Sequence, residues 1–135
     1  MPELPPLEVA VAVIRHEGRL LISQRMQDDS FGGFWEFPGG KLDEGETMEL
    51  CLAREIREEL GITVEAGPKR MVISHRYPSR TIRLHCFDCS LVEGKPQALE
   101  CASWKWVLPE ELDRFMFPPA SQLLIRDLQA TDVRR

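Results

Sequence analysis

The stretch from Gly39 to Ile62, GGKLDEGETMELCLAREIREELGI, constrains this chain more than any other. A pair of glycines and an acidic turn through Gly45 lead into a helical run that stops at Gly61. Thr47 has the side chain of an N-cap, and Gly61 is placed to end the helix as a left-handed cap. Met48 to Leu60 is therefore expected to be helical. At about 100° per residue, Leu52, Ile56 and Leu60 fall on one stripe with Met48 and Ala53 nearby, and that stripe is the expected buried face.

Beside it, Glu55, Glu58 and Glu59 sit at i, i+3 and i+4, so their carboxylates share one flank. Like charges at these spacings repel by about 0.2–0.5 kcal/mol per pair. The last two also meet the negative end of the helix dipole. Arg54 offsets part of this by reaching Glu58 at i+4. A helix shaped by stability alone would end in lysines. Converging carboxylates on a rigid element are instead what a hard divalent cation requires, with positions left for water and phosphate. The competing reading is a solvated acidic face.

The spacing of the whole stretch decides between them. Gly40, five residues, Glu46, seven residues, then Arg54-Glu55-Ile56-Arg57-Glu58-Glu59-Leu60-Gly61-Ile62 resembles the complete Nudix box, with no position departing from it. The resemblance implies that Glu55, Glu58 and Glu59 carry catalytic divalent metals, Mg²⁺ with Mn²⁺ as a substitute. It implies that Glu46 and Arg54 hold loop and helix in register, and that the Gly39 carbonyl is a further ligand.

At 135 residues, 43% of them hydrophobic and 29% charged, the chain suits one globular domain. A formal net charge of −5 argues against a nucleic-acid polymer as partner, since a duplex surface needs a basic patch. One small polyphosphate is compatible, because bound metal neutralises charge locally. The opening MPELPPLEVA has neither a basic region nor a long apolar run, so no secretory signal is read there, and no membrane span is expected. Cys86 and Cys89 form a C-x-x-C inside an apparent strand, where residues three apart face opposite ways; Cys51 and Cys101 read as small core residues. A reducing cytoplasm is the expected compartment.

Residues 1–7, with Pro2, Pro5 and Pro6, read as a flexible lead-in to one domain over 8–130, and 131–135 as a tail. Val9 to Ile14 and Arg19 to Arg25 read as a hairpin turned at Glu17-Gly18, followed by a polar loop over 26–33. After the helix, Thr63 to Glu65 begins a strand, Gly67-Pro68 reads as a turn, and Met71 to Tyr77 pairs with Thr81 to Leu91. Ser103 to Leu108 is a last strand. Pro109 begins a short helix, and Ala120 to Gln129 an amphipathic one. The order β-β-loop-α-β-β-β-α predicts a mixed β-sheet covered by helices on two sides, α/β in class and α+β by strand order. The resemblance implies the corresponding Nudix α/β/α sandwich.

Outside the box the text is similar to the MutT-like branch of nucleoside triphosphate pyrophosphohydrolases over roughly residues 8–130. Trp35-Glu36-Phe37-Pro38-Gly39-Gly40-Lys41 resembles the segment that branch places before its box, with Phe37 a substrate contact. The resemblance also implies a metal-binding role for Glu100 and nucleotide contacts for Arg25 and Arg80, whose guanidinium forks suit phosphate. Phe117-Pro118-Pro119-Ala120 resembles the base-recognition segment. There Ser121 stands in place of an asparagine, so a single hydroxyl replaces a planar amide. His75 and His85 read as sheet-face residues rather than catalytic bases. The implied activity is hydrolysis of a (deoxy)nucleoside triphosphate to monophosphate and pyrophosphate, of the 8-oxo-dGTP diphosphatase type. CTP or modified cytosine nucleotides are the alternative. Nucleotide sugars, dinucleotides and ADP-ribose are more distant options, as is a non-enzymatic recognition domain. The partner is a small nucleotide, and the chain is expected to be a monomer or homodimer.

Overall fold

A computed structural model of the chain describes residues 4–132. Its strands are β1 (Leu7–His16), β2 (Arg19–Gln24), β3 (Trp35–Glu36), β4 (Gly39–Lys41), β5 (Thr63–Tyr77), β6 (Arg80–Glu93) and β7 (Ser103–Val107). The helices are α1 (Met48–Leu60) and α2 (Gln122–Asp132), with 3₁₀ turns at Pro109–Arg114 and Pro119–Ser121. All seven strands form one mixed sheet. The expected flexible lead-in and tail fall in part on residues 1–3 and 133–135, outside the described residues; β1 begins at Leu7 and α2 runs on to Asp132.

β1 is the axis of the sheet. It pairs in parallel with β6, from Leu7↔Ile82 to Arg15↔Ser90. Ala10, Ala12 and Ile14 point into the core beneath α1, with Leu52, Ile56 and Leu60. Val11 and Val13 point into the other core, with Leu124, Ile125 and Leu128 of α2. Burial on both faces explains why this strand is an unbroken apolar run rather than an alternating one. The result is an α/β/α sandwich with a mixed sheet, as expected. Cys86 lies in the α2 core and Cys89 in the α1 core, and all four cysteines are free and buried. Burial pushes the thiols of Cys51, Cys89 and Cys101 up to about 11 and that of Cys86 up to about 12. They stay protonated at neutral pH and behave as small core residues.

The expected hairpin is paired only at its tip, Arg15↔Leu20 and His16↔Arg19, around a turn with positive φ at both Glu17 (52°) and Gly18 (78°). Beyond the tip, β1 and β2 splay apart and residues 35–41 fill the gap. β3 pairs with β2 through Ser23↔Glu36 and Gln24↔Trp35, and β4 pairs with β1 from Val9↔Lys41 to Val11↔Gly39. Between them the chain reverses at Phe37-Pro38, where the Pro38 carbonyl accepts from the Ala12 amide at 2.8 Å. Local pattern could not reveal this insertion, because each strand inside it is two or three residues long.

The expected turn at Gly67-Pro68 is not a turn. β5 continues through it, with register shifts between Ala66 and Lys69 and between Lys69 and Met71. β5 lies at the end of the strand order, so a proline without an amide proton is tolerated there and the excess residues are taken up as bulges. The second strand ends at Gln24 rather than Arg25, and the last helix starts at Gln122 because residues 119–121 form a 3₁₀ turn.

The two helical faces carry the core. Leu52→Ala, at a site with no solvent exposure, is expected to cost about 2–5 kcal/mol in urea unfolding monitored by circular dichroism.

Candidate active site

The α1 caps form as the sequence indicates: Thr47 Oγ1 accepts from the Leu50 amide at 3.2 Å, and Gly61 ends the helix at φ 69°. Two carbonyls left open at the helix end receive the loop before β7, with Gln97 donating to Leu60 and both Leu99 and Glu100 donating to Glu59. The acidic end of α1 and the Glu100 loop are thereby fastened together.

Arg54 is the hub of the box. Its Nε and Nη2 grip both Glu46 oxygens at 2.7 and 2.9 Å, and Nη1 reaches Glu55 at 2.9 Å and Glu58 at 3.1 Å. Glu46 also accepts from the Asp43 amide at 3.0 Å, so loop and helix are joined through one carboxylate. The Arg54 guanidinium, then the Asp43 amide, hold the Glu46 carboxyl down to about 2. The same contacts hold Arg54 firmly charged.

Gly40 explains where Glu55 lies. A Cβ at residue 40 would stand 2.3 Å from the Glu55 carboxyl, so only glycine lets that carboxylate rest against β4. A Cβ at Gly39 would stand 2.0 Å from the Ala10 carbonyl oxygen. The two glycines therefore serve close approach, one of strand to strand and one of side chain to strand.

A cavity of about 560 Å³ opens here. Arg25, Glu36, Gly39, Gly40, Glu55, Glu59 and Glu100 line its polar part. Phe31, Phe37, Tyr77, Leu84, Ser121 and Leu124 line an apolar part toward α2. Phe37 stacks on Phe117 at 5.2 Å between ring centres. Ser121 is nearly buried, and Tyr77 Oη accepts from the Ala120 amide at 3.0 Å.

The polar part is electrostatically unbalanced. Glu59 Oε1 is buried with no hydrogen-bond partner. Burial, then the charges of Glu36 and Glu55, push the Glu59 carboxyl up to about 9. Burial also raises Glu36, against the Arg25 guanidinium 2.8 Å away. Among the described residues no three acidic, histidine or cysteine side chains already close around a single point. The donor set nonetheless fits a hard cation completed by water and phosphate: carboxylates with an orphaned oxygen, one of them seated in a glycine cradle. Glu55, Glu59 and Glu100 could hold it from the cavity wall, with Glu58 half-exposed across Arg54 from Glu55.

The structure thus brings Glu55, Glu59, Glu100, Gly39, Arg25, Phe37 and Ser121 to one cavity, with Arg54 and Glu46 behind it. Arg80 is not part of that lining: its Nε donates to the Pro5 carbonyl at 3.0 Å, beside Tyr77 at the cavity edge. Arg25 is already committed to Glu36 and to the Ser30 carbonyl at 2.7 Å. His85 bridges Glu8 and Lys69, His75 packs on Tyr77, and neither lines the cavity. Glu36, Phe31 and Tyr77 escape a reading of the sequence. The one available signal was Glu36, a charged residue inside an aromatic segment.

Carboxylates beside a mixed sheet, facing an aromatic recess, suit chemistry on a phosphorylated small molecule. The chain belongs to the NUDIX domain family, whose family profile matches residues 9–127. It is 35% identical over 131 residues to the CTP pyrophosphohydrolase of Escherichia coli, covering 96% of each chain. It is 36% identical over 123 residues to the 8-oxo-dGTP diphosphatase of Haemophilus influenzae, covering 90% of each. Among solved structures, the MutT protein of Methanosarcina mazei superposes with a TM-score of 0.86 at 25% identity, over 98% of this chain and 99% of that one. Nudix hydrolases in general use a divalent metal. No helix among the described residues is long and apolar enough to cross a membrane.

The raised Glu59 carboxyl has a definite sign. Its folded-state proton is retained where the unfolded chain has lost it, so its contribution is full below the ordinary value of 4.5 and drains away as pH climbs to about 9. Glu46 acts oppositely, contributing above 4.5 and losing that contribution as pH falls toward about 2. In chelator-treated protein the melting temperature is expected to fall between about pH 5 and pH 9, and Glu59→Gln to flatten that fall. An unchanged slope in the variant would assign it elsewhere.

Proposed function

We propose that this Nudix pyrophosphohydrolase hydrolyses (deoxy)nucleoside triphosphates to the monophosphate and pyrophosphate, with Mg²⁺ as its metal and Mn²⁺ as a substitute. The role is sanitation of the nucleotide pool, of the 8-oxo-dGTP diphosphatase type. One observation carries the reading: the same cavity is lined by Glu55 and Glu59 of α1, with Glu100 bonded to the end of that helix, and by Phe37, Leu84 and Leu124, which pack in the core beneath α2. A metal-bound polyphosphate suits the first part and a nucleobase the second.

In this reading Glu55, Glu58, Glu59 and Glu100 would hold the metal with the Gly39 carbonyl, and its chemistry there would be polarisation of phosphate oxygens and acidification of water. Glu55 is positioned to take a water proton, with one oxygen fixed by Arg54 and the carboxyl seated against Gly40. Arg54 and Glu46 keep α1 and its preceding loop in register. Phe37 walls the base recess, and Ser121 offers it a hydroxyl. Arg25 lines the cavity beside the acids. Arg80 would reach a nucleotide only by leaving Pro5. The chain is assigned to the cytoplasm as a monomer or homodimer, with no nucleic-acid polymer as partner.

A second reading, cytosine nucleotides, is favoured by Ser121, which lacks the planar amide suited to a purine edge, and by the CTP-cleaving relative. A panel of ordinary, oxidised and methylated triphosphates with Mg²⁺, scored by kcat/KM, separates the two. Preference of about tenfold or more for an oxidised guanine nucleotide supports sanitation, and preference for cytosine forms supports the second reading. Glu58→Gln is expected to keep nucleotide affinity within a few-fold while kcat drops on the order of 100-fold or more. Wild-type turnover in that variant would remove Glu58 from the metal site.

A further inference from the structure

Arg25 does two things at once. Its Nη1 donates to Glu36 Oε1 at 2.8 Å, and its Nε donates to the Ser30 carbonyl at 2.7 Å. Each partner belongs to a different part of the cavity. Glu36 lies among the acids: it shares the lining with Glu55 and Glu59, and its charge acts on Glu59. Ser30 directly precedes Phe31, whose ring packs on Tyr77 at 5.5 Å and on Phe34 at 5.3 Å in the apolar part. Phe31 holds a left-handed backbone, φ 54°, without being glycine, and is 39% exposed at the cavity rim. Tyr77 is pinned in turn by the Ala120 amide.

One planar guanidinium therefore bridges the aromatic wall and the acidic wall. Its donors are held in a fixed fork, so tilting it toward one partner moves it relative to the other. If Phe31 shifts, the Ser30 carbonyl shifts with it, and the neutralisation of Glu36 changes. A Glu36 carboxylate left without its cation acts more strongly on the neighbouring Glu59, which already feels its charge.

We propose that Arg25 and Glu36 are positioning residues that couple the nucleobase end of the cavity to its carboxylate end, so that a base seated against Phe31 and Tyr77 is read chiefly as a faster chemical step. The proposal rests on the nucleotide reading above and assigns Arg25 a different task from gripping phosphate. Lysine at residue 25 keeps the charge but has no fork, so it satisfies one partner at the expense of the other.

The test is a double-mutant cycle on the preferred nucleoside triphosphate with Mg²⁺, using Phe31→Ala, Arg25→Lys and the pair. Phe31→Leu and Glu36→Gln are run in parallel, and thermal melts establish that each variant is folded. Each single change is expected to lower kcat about tenfold with KM moved less than about threefold, and the pair to fall no further than the worse single variant. Phe31→Leu, which keeps a bulky apolar side chain, should lose less than Phe31→Ala. Losses that multiply in the pair, or that sit in KM alone, overturn the coupling while leaving the nucleotide reading intact. If the wild-type enzyme releases no pyrophosphate from any nucleoside triphosphate, that reading fails and takes the coupling with it.

Discussion

The hydrogen bonds that β4 makes to β1 are the constraint on which the site depends. Because β1 and β2 pair only at their tip, the gap between them admits residues 35–41. Their entry places Gly40 against α1, where Glu55 occupies the space a side chain would need. It also turns Glu36 toward the acids and Phe37 into the α2 core, since successive residues of a strand face opposite ways. A single inserted segment thus supplies floor, acid and aromatic wall.

Charge is distributed unevenly around that segment, and the unevenness has a use. Arg54 holds both oxygens of Glu46 and reaches Glu55 and Glu58 with one nitrogen, so a single positive charge is shared among the outer carboxylates. Glu59, deeper and with an orphaned oxygen, has no such partner. Leaving a buried carboxylate without a cation is costly, and a group so placed either holds a proton or waits for a metal. Stability set aside at this point is consistent with catalysis that relies on preorganised charge.

The apolar part depends on contacts between segments far apart in the chain. Phe31 comes from the loop after β2, Tyr77 from the end of β5, and Ala120 and Ser121 from the 3₁₀ turn before α2. Of these, only Ala120 and Ser121 stand in a segment distinctive in its local sequence. Phe31 reads as a loop aromatic and Tyr77 as a strand residue, and only their meeting makes a wall.

Much of α1 was legible because helix periodicity, Thr47 and Gly61 are local signals, and the box spacing is specific enough to name a family from residues 40–62. The separation of Cys86 from Cys89 followed from strand geometry in the same way. The sequence by itself determined which helix carries the acids, where it starts and ends, and which family the chain joins, since all three rest on residues within a few turns of one another. Tertiary structure alone decided that the first hairpin splays, that Gly67-Pro68 is absorbed as a bulge, that Arg80 lies with Pro5 rather than in the cavity, and that Arg25 answers to Glu36. Those outcomes come from pairing between segments remote in sequence, where hydrogen bonding and charge neutralisation in three dimensions override local preference.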